Sequence, residues 1–299
     1  MSKHSPDSRL KQHPFGFLEA VQKPSKEELE KYYADMYYQN ECGSYKQTYS
    51  EDEKKCFRIK TEQKARILED NIQSNGRTLL DVGCGEGFDL AYFCEKGWDA
   101  KGIDFSSEGA TAMNPSILDR LTTGDIFQLL EDQAKEGNMY DVIWIKHVLE
   151  HVLDPVEVLK NLRKLVKPGG ILVATVPNDA CTYNEDLFQR GDISKRFWIA
   201  LPDHLSYFNQ ETLIKTCNET GWKCLDCITD VPINFFLSHS DSNYVDKPET
   251  GPNAHIARLK AELLISKSGV NKANDYFRAQ ANVGLGRSLT AFFSPKGDN

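Results

Sequence analysis

The chain has 299 residues and a formal net charge of -8, room for one large domain with additions or for two small ones. Its 40 % apolar content is enough for a packed core, which excludes wholesale disorder. The acidic balance and the lack of a basic run argue against nucleic acid. The lack of about 20 consecutive apolar residues argues against a membrane span, and eight scattered cysteines with no leader-like apolar run predict a cytoplasmic protein with reduced thiols.

Residues 1–14 read as a disordered leader. Ser25 with Glu28 three residues later marks a helix start, which runs into the aromatic cluster Tyr32, Tyr33, Met36, Tyr37 and Tyr38. A second helix is predicted over about 50–72, with Phe57, Ile59, Leu68 and Ile72 as its apolar positions. Residues 1–75 thus form an N-terminal helical cap. The pattern changes at 78–82, a short strand running into glycines. A helix follows over 88–96, then a strand over 99–103 that ends at Asp104, then a weaker helix around 107–119. A strand at 140–145, a helix at 154–166, the Pro168-Gly169-Gly170 turn and a strand at 171–176 continue the alternation. Strands alternating with helices predict a parallel sheet covered on both faces. Beyond it come a helix at 210–220, a strand at 223–228 and a final strand at 287–293. The segment 232–284, with a helix at about 252–267, interrupts the pattern. Domain boundaries therefore fall at 1–75 and 76–299.

The strongest signal is Asp81-Val82-Gly83-Cys84-Gly85-Glu86-Gly87, between a strand and a helix. Glycine admits positive φ and lets a ligand approach the backbone. The helix start adds free N–H groups. Dinucleotide sites usually show G-x-G-x-x-G, whereas here the spacing is G-x-G-x-G. Asp81 would repel a pyrophosphate and suits a cationic amine, which favours S-adenosylmethionine over a nicotinamide cofactor. Asp104, followed by Phe105, is placed to accept from both ribose hydroxyls. Gly124-Asp125-Ile126 falls where a third strand would end, with the carboxylate toward the adenine amino group and Ile126 against the ring.

These residues resemble the class I S-adenosylmethionine-dependent methyltransferase family. Leu80 to Gly87 is similar to its first motif and Gly102 to Ser106 to its second. Tyr140 to Trp144 through Val148 to Pro155 resembles its fourth-strand segment, and Leu165 to Gly170 the following turn. The resemblance covers about residues 76–180. It implies a Rossmann-like α/β fold with a seven-stranded sheet whose last strand is antiparallel. It also implies S-adenosyl-L-methionine lined by Asp81, Gly83, Cys84, Gly85, Gly87, Asp104, Asp125, Ile126, and Lys146 or His147. The flanks, 23–38, 203–208 and 284–287, resemble bacterial small-molecule methyltransferases of surface-carbohydrate biosynthesis, while the core also resembles ubiquinone-type O-methyltransferases.

Methyl transfer to a hydroxyl gains from a general base, and histidine suits neutral pH. His147 follows the fourth strand. His204 lies beside Asp203 after the fifth. His151 pairs with Glu150 in family members of differing substrate, which points to a structural role. Each of these can instead hold a loop. His255 and Arg258 could bind an anionic group, or form a solvated helix face. Tyr37 and Tyr38 could flank a sulfonium, or pack a helix. Asn234, Asn243 and Tyr244 fall in the insertion and are candidate acceptor contacts, as is Arg287, which can equally form a structural ion pair. Cys224 and Cys227 sit on a strand, where residues three apart face opposite sides, so no metal site is expected. The expected reaction is O-methylation of a sugar or nucleotide-linked sugar. The alternatives are a quinone-like phenol, an amine or a phosphorus-linked oxygen as acceptor, or a cofactor-binding regulatory protein without catalysis.

Overall fold

The computed structural model describes residues 7–32 and 48–297. Two short strands, β1 (Leu10–Gln12) and β2 (Leu18–Ala20), precede the helices α1 (Lys26–Tyr32) and α2 (Glu51–Asn71). The alternating region follows as β3 (Thr78–Val82), α3 (Phe88–Glu95), β4 (Asp99–Asp104), α4 (Glu108–Met113), β5 (Leu121–Thr123), α5 (Ile126–Lys135), β6 (Tyr140–Lys146), α6 (Pro155–Leu165) and β7 (Val166–Pro177). The remainder comprises α7 (Thr182–Arg190), β8 (Ser206–Tyr207), α8 (Gln210–Glu219), β9 (Trp222–Ile228), α9 (Gly251–Ser266), α10 (Val270–Asn282) and β10 (Ser288–Pro295).

Seven strands form the main sheet in the order β5-β4-β3-β6-β7-β10-β9, with β10 antiparallel to both its neighbours. This is the Rossmann-like methyltransferase sheet that the motifs imply. Its central strands alternate strictly between two cores, because successive side chains on a strand point to opposite faces. In β6, Val142 and Trp144 enter one core while Ile143 and Ile145 enter the other. In β7, Val173 and Leu172 divide the same way. One core is closed by α2, α3 and α10 through Leu68, Phe93 and Phe277. The other is closed by α5, α6 and α8 through Leu130, Leu159 and Leu213. Both faces are apolar, so the strands read as continuous apolar runs.

The N-terminal end of the sheet is held by Asp141. Its buried carboxylate accepts from the Thr78 N–H and hydroxyl, from Ser74, and from Lys167 at 2.9 Å. Asp141→Ala leaves those donors and the Lys167 charge without an acceptor. The expected cost is about 3 kcal/mol, checked by urea denaturation; a loss below about 1 kcal/mol would mean the cluster is not structural.

Several elements depart from expectation. Residues 7–14 are not a leader throughout: β1 pairs antiparallel with β2, and β2 with β8, so the N-terminal region is not purely helical. Phe17 anchors this hairpin, with its ring 4.8 Å from that of Phe208. The helix expected over 107–119 divides, because Pro115 lacks an N–H to continue α4 and starts a short 3-10 turn. The segment 232–284 carries a second helix, α10. Its moderate amphipathicity hides among polar residues such as Asn271, Lys272, Asn274 and Asp275. Tyr33, Met36, Tyr37 and Tyr38 lie outside the described residues.

Candidate functional site

The carboxyl ends of β3, β4 and β6 meet at the glycine loop. Gly83, Gly85 and Gly87 take φ of +72°, +54° and +75°, values that side chains with a Cβ rarely adopt. The loop curls away from β3 and enters α3. The Gly85 N–H donates to Asp104 Oδ2 at 2.8 Å, and the Ser106 N–H donates to Oδ1 at 3.2 Å. The Asp104 carboxylate is thus set by two backbone donors and is only 6 % exposed.

Two cavities flank this loop. The first, about 320 Å³, is lined by Leu29, Gly83, Asp104, Phe105, Asp125, Ile126, Val148 and Val152 among others. Its apolar walls and the Asp104 carboxylate have the chemistry that would suit a planar ring and a ribose diol. Asp125 caps α5 by accepting from the Gln128 N–H at 2.8 Å and faces Lys26 at 3.4 Å. The second cavity, about 240 Å³, lies between α2 and the strand ends. Phe57, Lys60, Gln63 and Lys64 come from α2, Glu86 and Phe88 from the loop and α3, Lys146 and Thr175 from β6 and β7, and Glu262 from α9. The N-terminal segment and the insertion therefore both contribute to it.

His147 lines both cavities. It is the one non-glycine residue with positive φ among the described residues, at 55°. A left-handed conformation costs a side-chain-bearing residue about 1–2 kcal/mol and is a frequent mark of functional positions. Its N–H is anchored to the Thr175 carbonyl at 2.9 Å. Its Nδ1 donates to Glu150 Oε1 at 3.0 Å, and Glu150 is 1 % exposed. Burial alone would raise the Glu150 pKa, but His147, His151 and His204 outweigh it and hold the carboxyl below its ordinary value.

His151 is the other half of this charge cluster. Burial opposes its charge, yet Asp203 and Glu150 raise its pKa to about 9. The imidazole is therefore cationic near neutrality and is no proton acceptor. Since the folded pKa lies above the unfolded value of about 6.5, its contribution to stability is complete below that value and lost as pH rises through about 9. Unfolding free energy should fall by about 2–3 kcal/mol between pH 7 and 9.5 through this group. His151→Leu should flatten that slope in denaturant titrations at several pH values; an unchanged slope would contradict the assignment. The donor atoms of Glu150, His151 and His204 all lie within 4.8 Å of one another, so a metal there would compete with the His151 proton.

Other expected site residues fall elsewhere. Asp81 is buried beneath the loop and lines neither cavity; burial and then Asp89 raise its pKa well above the carboxylate range. Cys84 turns into the core toward Gly102, and burial raises its thiol pKa. Lys146 lines the second cavity and pairs with Asp89. His204 lines neither cavity: its Nδ1 donates to buried Asp179 at 2.8 Å, and Asp179 also accepts from Arg287 at 3.0 Å. Asn234 donates to Asn184 at 2.9 Å, and Asn243 organises a turn through Asp192, Val245 and Asp246. Tyr244 packs near Phe197. His255 contacts Glu53 at 3.0 Å and Arg258 approaches His255 at 3.4 Å, both outside the two cavities. Tyr37 and Tyr38 lie outside the described residues. Sequence reading missed Lys60, Gln63, Lys64 and Glu86. The spacing of Phe57, Lys60 and Lys64 on one helical face was a signal for part of this wall.

A family model described as a methyltransferase domain matches residues 53–226. A ubiquinone biosynthesis O-methyltransferase of Aliivibrio fischeri strain MJ11 is 29 % identical over 158 residues, covering 52 % of this chain and 68 % of that protein. One of Vibrio vulnificus strain YJ016 is 31 % identical over 165 residues, covering 53 % and 68 %. A solved structure of a SAM dependent methyltransferase from Archaeoglobus fulgidus is similar with a TM-score of 0.49 and 18 % identity, covering 79 % of this chain and 93 % of that one.

Proposed function

This chain belongs to the methyltransferase-domain family and is an S-adenosylmethionine-dependent methyltransferase, and on that premise we propose that it methylates an oxygen of a small phenol-like acceptor. The observation that carries this reading is His147, held by Glu150 at the junction of the two cavities. Bound S-adenosylmethionine supplies an electrophilic methyl group on a sulfonium whose leaving thioether is neutral. The protein's own task is to orient the acceptor, exclude water and receive one proton. With Nδ1–H directed to Glu150, His147 carries its free lone pair on Nε2, and that atom takes the hydroxyl proton. The imidazolium so formed is stabilised by the Glu150 carboxylate. His204, committed to Asp179 and lining neither cavity, is assigned a structural role.

Acidity favours a phenol over the sugar expected from the flanking sequence. A phenolic hydroxyl has a pKa of about 10 and a sugar hydroxyl is far less acidic, so the phenol gives up its proton to a general base more readily. The two relatives described above are named for O-methylation in ubiquinone biosynthesis, which supports the same class. A quinone-precursor-like ring with a free hydroxyl is therefore the preferred substrate. The N-terminal segment and the 232–284 insertion frame its site through α2 and Glu262.

The test is a panel with methyl-labelled S-adenosylmethionine: a catechol, a nucleotide sugar and a primary amine. Label is expected on a catechol oxygen. Label only on the sugar or the amine would overturn the phenol reading while leaving methyl transfer intact.

A further inference from the structure

Asp203 precedes His204 in the chain, yet its carboxylate turns to a different histidine. The His151 Nδ1–H donates to the Asp203 carbonyl at 2.9 Å and lies 3.4 Å from Oδ1 of the same residue. On its other side His151 presents Nε2 to Glu150 Oε1 at 3.8 Å, the oxygen that accepts from His147 Nδ1 at 3.0 Å. Carboxylate, imidazolium, carboxylate and imidazole therefore alternate from Asp203 to His147. Two further titratable groups face Asp203: His204, whose Nε2 is 3.8 Å from Oδ2, and Tyr32 of α1. Behind His204 lies Asp179, already paired with Arg287. The backbone that carries Asp203 is held without its side chain. The Leu205 and Ser206 N–H groups donate to the Glu150 carbonyl at 2.7 and 3.1 Å, and the Tyr207 hydroxyl donates to the His204 carbonyl at 2.7 Å.

The charge in the middle of this row decides the tautomer at its end. Glu150 is buried, its Oε2 has no hydrogen-bond partner, and no Lys or Arg reaches it at ion-pair distance among the described residues. A buried carboxylate needs a counter-charge, and His151 supplies it. With His151 neutral, burial would drive Glu150 to take up a proton. A carboxyl group donates where a carboxylate accepts. That proton would go to His147 Nδ1, and the ring proton of His147 would then sit on Nε2, the atom that has to receive the acceptor's proton. The row is not a proton wire: 3.8 Å between His151 and Glu150 is too long for a hydrogen bond.

We propose that Asp203 is a positioning residue for methyl transfer: through His151 it keeps Glu150 a carboxylate, and so keeps the His147 proton on Nδ1 and the lone pair on Nε2. This rests on the reading of His147 as the base. Asp203 touches neither donor nor acceptor, and it lines neither cavity. Its effect is therefore on the protonation of the base and not on ligand binding. The consequence has a definite sign. Without the Asp203 charge, Glu150 holds a proton at neutral pH and loses it as pH rises, so the correct tautomer returns in alkaline solution.

Nitrogen NMR of histidine-labelled protein reads the tautomer without an acceptor, and His147→Ala identifies the His147 signals by their loss. At about pH 7.5 the unmodified protein should show Nδ1 protonated and Nε2 bare. In Asp203→Asn the proton should sit on Nε2. In methyl transfer to a catechol, Asp203→Asn should lower kcat ~10-fold at about pH 7 with KM within ~2-fold, and the deficit should shrink as pH rises. Asp203→Glu, which keeps the charge, should keep the tautomer and restore most of kcat. S-adenosylhomocysteine binding shows that a variant is folded. Should Asp203→Asn fail to fold, His151→Gln removes the same charge and should move the tautomer in its place. An unmoved His147 proton in the folded variant, or a kcat deficit equal at every pH, overturns the proposal. A tautomer that moves as expected in a protein that methylates no hydroxyl would instead overturn the base reading, with the hold of Asp203 on His147 standing.

Discussion

Asp104→Ala is expected to weaken S-adenosylhomocysteine binding at least ~100-fold in calorimetry. The carboxylate ends β4, lines the first cavity, and is held by the N–H groups of Gly85 and Ser106. Those two bonds fix its plane at the cavity wall. Two ribose hydroxyls donating to a carboxylate are worth about 1.5–3 kcal/mol each, which sets the size of the loss. The same substitution frees the Gly85 N–H, so the loop also loses part of its preorganisation. Asp125→Ala should cost far less, since that carboxylate already accepts from the Gln128 N–H and faces Lys26. An Asp104→Ala protein that melts at the normal temperature and binds with unchanged affinity would take the adenosine out of this cavity.

His147→Ala should lower kcat by ~10²–10⁴-fold, the usual worth of a positioned general base, with S-adenosylhomocysteine affinity within ~3-fold of normal. His147 lines both cavities, its Nδ1 is occupied by Glu150, and its backbone is held at positive φ by the bond to Thr175. Glu150→Gln keeps the shape but weakens control of the tautomer and of the developing imidazolium charge. Its expected effect is an intermediate loss in kcat with little change in KM. His204→Ala provides the contrast. It breaks a buried bond to Asp179 and should lower stability while kcat of the folded protein stays within ~3-fold. If His204→Ala and not His147→Ala removes turnover, the base has been assigned to the wrong histidine.

Much of the fold was legible because β3, β6 and the second half of β7 are largely apolar runs, a pattern that one-sided sheets do not produce. The wall of the first cavity was legible for a related reason. Gly83, Gly85 and Asp104 sit at strand ends, where local sequence dictates position. The second cavity was not, because its walls come from α2, the loop, β6, β10 and α9, residues far apart in the chain. Lys60 and Lys64 look like any solvated helix face until the sheet closes beneath them. Asp81 misled in the opposite direction: its place in the motif is plain, yet its side chain turns inward. The hairpin of β1 and β2 escaped because three-residue strands carry almost no periodic signal, and only pairing with β8 defines them.

The most direct test of the account is a crystal structure of the protein with S-adenosylhomocysteine, read as the position of its sulfur. Adenine is expected against Ile126 and Phe105, the ribose hydroxyls on Asp104, and the sulfur at the junction beside Gly83 and His147. A sulfur placed far from His147, or a ligand bound outside the two cavities, would contradict it.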